Sequence, residues 1–143
     1  MPEPISRVLQ PDGSVMLTAG ACSFHYLRSR PGVIEVTIVG VDSGQFGTST
    51  LDELRLALMR EKPIELFMDA REALAPAVAV SRDWTRFFTE HRKDLKRVSI
   101  LVGSKVLELT IGIAQHLSRT GNLIQIYSDP EVFDAQRRGP AQR

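Results

Sequence analysis

Ile64-Glu65-Leu66-Phe67-Met68-Asp69, reached through Pro63 and left through Asp69 and Ala70, carries the plainest fold signal in the chain. The run is too short for a helix, and its apolar side chains fall on both parities. That pattern predicts a strand covered on both faces, as in the middle of a parallel sheet. A helical pattern precedes it and another follows it, so the architecture expected around it is βαβα. The sequence announces this fold more clearly than it announces any reaction.

The chain has 143 residues, 43% hydrophobic and 24% charged, which fits one ordinary domain able to bury a core. A formal charge of +1 makes no strong overall field, and binding to nucleic acid or to an anionic membrane is not implied. Cys22 is the only cysteine, so an internal disulfide and a multi-cysteine metal site are excluded; a reducing, cytoplasmic setting is expected. Met1-Pro2-Glu3-Pro4 carries neither a basic nor an apolar signal region, and no run approaches the ~18 apolar residues of a membrane span. Neither secretion nor membrane insertion is expected.

Taken in order, residues 1–14 hold Pro2, Pro4, Pro11 and Gly13 and are expected to form a flexible arm, with a short strand following at Val15 to Thr18. Phe24 to Arg28, the turn signal Arg30-Pro31-Gly32 and the β-branched Val33 to Val39 predict an antiparallel hairpin. A glycine-punctuated loop leads to a first helix with Ser49/Asp52 or Thr50/Glu53 as capping pair and Leu51, Leu54 and Leu58 as its inner stripe. After Asp69 an irregular, alanine-rich stretch interrupted by Pro76 gives way to a helix with Val80, Trp84, Phe87, Phe88, His91 and Leu95 on one face. Val98 to Val102 is the next buried strand. A third helix, capped by Ser104, is expected to turn Val106, Leu109, Ile113, His116 and Leu117 inward and to stop at Gly121-Asn122. Leu123 to Tyr127 is the last strand, and Ser128-Asp129-Pro130-Glu131 opens a short helix anchored by Phe133. The domain is expected over 15–135, and 136–143 as a frayed tail.

This order of elements, with Ile38-Val39-Gly40-Val41-Asp42 closing the second hairpin strand and Leu51-Asp52-Glu53-Leu54 opening the first helix, resembles the STAS fold of anti-sigma-factor antagonists. The SpoIIAA-like family of STAS-like proteins is the closer resemblance. It is carried by Trp84 to Leu95, by Arg97-Val98-Ser99-Ile100-Leu101-Val102-Gly103 and by Ile126 to Phe133, and spans roughly residues 23 to 135. The resemblance implies an α/β STAS-like single domain: an N-terminal β-hairpin, then alternating strands and helices, with helices covering a mixed central sheet. Antagonists that cycle with a kinase carry Asp-Ser-Ser-Gly where the second helix begins, whereas this chain reads Leu74-Ala75-Pro76-Ala77-Val78-Ala79-Val80-Ser81 there. The resemblance therefore implies a small protein-binding or ligand-binding module without that phosphorylation motif.

Six residues stand out as candidates for contact with a ligand or partner. Asp42 and Ser43, with Gly44, superficially match the missing motif, but they precede the first helix, where any strand-to-helix turn selects Asp, Ser and Gly. Asp69 and Glu72 fall at the carboxyl end of the central strand, where open α/β sheets place ligands and where turn-capping carboxylates are also common. Ser81 is the only hydroxyl between Asp69 and Thr85, in a helix expected to be already under way. Trp84 reads as core, or as the wall of an apolar pocket. His25, His91 and His116 sit on three separate elements without metal-ligand spacing, and Cys22 lacks an activating context. Basic residues from Arg82 to Arg97 are interleaved with Asp83, Glu90 and Asp94, the pattern of a solvated face.

The expected function is that of a non-enzymatic regulatory module, with no catalytic residue, metal or cofactor. Its expected partner is another protein in a regulatory assembly; homodimerisation is compatible with the sequence, and nucleic acid is not expected. The alternative is a small carrier holding an apolar or lipid-like ligand under the 70–80 loop.

Overall fold

The computed structural model describes residues 4–118 and 122–139. Seven strands lie side by side in chain order: β1 (Ser6–Leu9), β2 (Val15–Ala19), β3 (Cys22–Arg30), β4 (Val33–Gly40), β5 (Ile64–Ala73), β6 (Leu95–Val102) and β7 (Ile124–Tyr127). From β1 to β4 the neighbours are antiparallel; from β4 to β7 they are parallel. The parallel strands are joined by α1 (Ser49–Arg60), α2 (Val78–Glu90) and α3 (Lys105–Ser118), and α4 (Pro130–Arg138) follows β7. Because each crossover adds its strand on the same side of the last, a constant right-handed connection places all three helices on one face. α4 alone covers the other.

β5 is an interior strand, parallel to both of its neighbours, as the quoted stretch predicts. Alternate side chains leave a strand on opposite faces. Ile64, Leu66, Met68 and Ala70 therefore join the main core beneath α1–α3, while Phe67 joins Val33, Leu101 and Phe133 beneath α4. Leu66 and Phe67 are each 1% exposed although they are adjacent, which requires cover on both sides of the sheet. Glu65 is half-buried in register with Arg97.

Local rules also hold at several helix ends. Ser104 Oγ accepts the Leu107 N–H (3.1 Å) and Asp129 Oδ1 accepts the Glu131 N–H (2.9 Å), so both final helices begin on side-chain caps. α1 starts one residue before the first expected capping pair and two before the second: Thr48 is its N-cap, and the Thr48 hydroxyl donates to Asp52 Oδ2 at 2.8 Å.

Four expectations are corrected. The residues read as an irregular arm contain β1, because Pro11-Asp12-Gly13 is hairpin-turn chemistry. Gly13 adopts φ 85°, its N–H donates to Gln10 O (2.9 Å), and Asp12 Oδ1 accepts the Ser14 N–H (2.9 Å). Arg7 on this edge strand pairs with Glu53 of α1. β5 continues four residues beyond Asp69, so the irregular segment is only 74–77. α3 is turned the other way: Leu107 is buried and Ile111 packs on the core, while Val106, Leu109 and Ile113 are 64%, 66% and 62% exposed and His116 is also exposed. Gln136 to Arg138 continue α4 rather than fraying, with Arg137 Nη1 bonded to Glu35 Oε1 at 2.9 Å. The expected stop at Gly121 and the last four residues lie outside the described residues.

Candidate functional site

Between the sheet and the facing sides of α2 and α3 lies a partly open cavity of about 100 Å³. Its floor is Met68 and Ala70 of β5 with Ile100 of β6; its walls include Trp84 and Phe88 of α2 and Leu107 and Ile111 of α3. The space exists because small side chains, Ala70, Ala73 and Ala114, stand where larger ones would fill it. It lies at the carboxyl ends of the parallel strands, where open α/β sheets receive ligands.

The connection 74–77 closes one side. Leu74 N–H bonds to Gly40 O and Ala77 N–H to Asp42 O, each at 3.0 Å, so the segment is laced to the chain leaving β4. Gly40 is required there: φ is 92°, and a Cβ would stand 2.7 Å from Ala21 O. Pro76 is part of the cavity wall, whereas Leu74, another lining residue, is 60% exposed.

Trp84 contributes the largest ring. It stacks on Phe24 (centroids 6.4 Å apart, 12° between planes) and tilts against Phe88 at 5.8 Å. The indole is half-buried and packs against the core while lining the cavity. Ser81 also lines the cavity. Its N–H is already bonded to Ala77 O at 3.0 Å, placing it in the formed first turn of α2.

Asp42 is the polar residue of most consequence. It lines the cavity, is only 6% exposed, and its Oδ1 accepts the Gly44 N–H at 3.0 Å, closing a turn of the kind its sequence context predicts. Burial raises its pKa above the ordinary carboxyl value; the Gly44 N–H opposes the rise and the nearby Asp83 charge adds to it. Cys22, 1% exposed, has its thiol pushed up to about 11, chiefly by burial and then by Asp42, which leaves it a poor nucleophile.

Thus Asp42, Ser81 and Trp84 converge on one cavity, and the other three candidates do not. Ser43 is exposed, its hydroxyl donating to Gln45 Oε1 at 3.1 Å, and Glu72 is exposed on β5. Asp69 points to the opposite face, where Arg71 Nη2 donates to its Oδ2 at 2.7 Å. Sequence reasoning missed the cavity residues Met68, Leu107 and Ile111. The available signal was the run of alanines beyond Asp69, which marks missing side-chain volume. Among the described residues, no three His, Cys, Asp or Glu side chains gather closely enough to hold a metal ion, and no helix is long and apolar enough to cross a membrane.

No protein-family model and no curated protein matches the chain. Solved structures do. An uncharacterized protein with a SpoIIAA-like fold from Shewanella loihica PV-4 matches over 81% of this chain and 93% of its own, with a TM-score of 0.56 at 18% identity. The fold is SpoIIAA-like. An anti-sigma factor antagonist from Mycobacterium paratuberculosis matches over 92% of this chain and 99% of its own, with a TM-score of 0.57 at 12% identity. At these identities the SpoIIAA-like likeness is one of architecture, and the cavity has to be argued from this chain's own residues.

Proposed function

We propose that this SpoIIAA-like domain acts by binding, without catalysis, and that its apolar cavity receives a compact apolar ligand. The observation that supports this reading is the concentration of apolar walls and a single ionisable group at the carboxyl ends of β4–β6, the usual composition of a small-molecule site. Size limits the occupant. An engineered cavity of about 150 Å³ accommodates benzene, and drug-sized ligands need about 300–1,000 Å³. A volume near 100 Å³ with a partly open side therefore suits a single ring or a short branched chain; anything longer requires 74–77 or α3 to move.

Trp84, the only tryptophan, supplies the assay. Titration with toluene, followed by indole fluorescence and by melting temperature, is expected to give a saturable change and a higher Tm. Absence of both would overturn the reading.

A second reading, a protein partner in a regulatory assembly, is favoured by a separate observation: Val106, Leu109 and Ile113 form an exposed apolar stripe on α3. The shared architecture with an anti-sigma factor antagonist supports it as well. Under this reading Leu109→Ser with Ile113→Ser abolishes partner capture without lowering Tm; retained capture would overturn it. A reducing, cytoplasmic setting belongs to both readings, with Cys22 a buried free thiol.

A further inference from the structure

We infer that Asp42 makes this cavity selective by head group: it favours apolar ligands carrying an amine or hydroxyl donor over hydrocarbons, and it excludes carboxylates. The inference rests on the cavity reading above and adds a chemical class to it.

Three observations carry it. Among the described residues, Asp42 is the only ionisable side chain lining the cavity, whose walls are otherwise almost wholly apolar. At 6% exposure the residue has lost most of its water, yet among the described residues the only hydrogen bond to its carboxyl is from Gly44 N–H to Oδ1 at 3.0 Å. A carboxylate has room for about four hydrogen bonds across its two oxygens, so much of its accepting capacity is unused. Finally, among the described residues the charged group close enough to act on it is Asp83 of α2, another carboxylate, and no Lys or Arg lines the cavity.

A buried acceptor surrounded by apolar surface and like charge is costly to leave unmet. A ligand can meet the need by bringing a donor. A hydroxyl gives one hydrogen bond; a protonated amine gives a charge-assisted one and neutralises the repulsion between Asp42 and Asp83. A carboxylate head instead places a second negative group against the first, with no cation in the wall to offset it. The same cavity with an arginine in place of Asp42 would have the reverse preference.

The test uses four ligands of one ring size, toluene, benzyl alcohol, benzylamine and benzoate, titrated at neutral pH against the wild type and Asp42→Asn with Trp84 fluorescence as readout. Benzylamine is expected to bind about tenfold or more tightly than toluene, benzyl alcohol to fall between them, and benzoate to bind most weakly. Asp42→Asn keeps an acceptor for Gly44 N–H, so its thermal melt serves as the check on folding, while the ratio of benzylamine to toluene affinity should collapse toward one. Asp83→Asn should weaken benzylamine but not benzyl alcohol. Equal affinity for toluene and benzylamine in the wild type, or an amine preference that survives Asp42→Asn, overturns the head-group inference and leaves the cavity reading standing. Binding of none of the four overturns both.

Discussion

The two faces of the sheet solve the problem of polar groups in opposite ways. Beneath α4, the polar depression of about 180 Å³ beside Phe67 and Phe133 is lined by Glu35, Asp69, Arg71, Asp134 and Arg137. There every carboxylate has a guanidinium: Arg71 takes Asp69 at 2.7 Å, and Arg137 takes Glu35 at 2.9 Å and Asp134 at 3.4 Å. Beneath α2 and α3, one buried carboxyl faces apolar walls and a like charge. Saturated ion pairs describe a structural surface; an underused acceptor in a cavity describes a place for something else to bind.

The comparison breaks first at the aromatic anchors. Phe133 is 1% exposed and holds α4 against Phe67 and Tyr127, so Phe133→Ala is expected to cost about 3–5 kcal/mol in urea unfolding. Trp84, half-buried beside empty space, should cost about 2 kcal/mol on truncation because less surface is lost and the wall is already incomplete. Equal losses would mean that the cavity side is as tightly built as the α4 side.

Next comes Asp42→Asn, where the sign depends on pH. The folded carboxyl holds its proton more tightly than the unfolded chain, whose ordinary value is 3.8. The stability this contributes is present below that value and is lost as pH rises through the raised folded pKa. Asparagine does not titrate, so the variant should be more stable than the wild type at neutral pH, by about 1 kcal/mol, with the gain shrinking as pH falls through the raised folded pKa and gone below the unfolded value of 3.8. Thermal melts across this range check it, and a destabilised variant at pH 7 would show that the Asp42 charge is better satisfied than the geometry implies.

The smallest effect belongs to the ion pairs. Arg137→Ala removes both its partners but at a partly exposed site, so about 0.5–1 kcal/mol is expected, less at high salt. A larger loss would indicate that the backbone bond from Arg30 Nη1 to Arg137 O, at 2.9 Å, and the end of α4 depend on that side chain.

Much of the fold was legible where a single local rule was decisive. Leu66, Phe67 and Met68 on successive positions pointed to a strand covered twice, and Ser104 and Asp129 to helix starts, and the structure has both. The candidate site was legible in part. Trp84 and Ser81 were drawn to notice by position, but Asp42 looked like a turn residue because it is one; nothing in Asp42-Ser43-Gly44 tells that Asp42 also borders a cavity whose walls include residues as distant in sequence as Ile124.

The alternation of strands and helices, the doubly buried strand β5, and the starts of α3 and α4 follow from side-chain period and capping within a few residues. Packing between distant parts of the chain settles which side of α3 faces inward, that residues 6–9 join the sheet, and that Asp42, Ser81 and Trp84 meet. α3 shows the physical reason most clearly. It carries apolar residues all round, Val106, Leu109 and Ile113 on one side and Leu107, Ile111 and Ala114 on the other, so its own periodicity offers two stripes. The choice between them is made by the surface it lands on, where Leu107 and the small Ala114 fit over the sheet and the larger stripe is left to solvent.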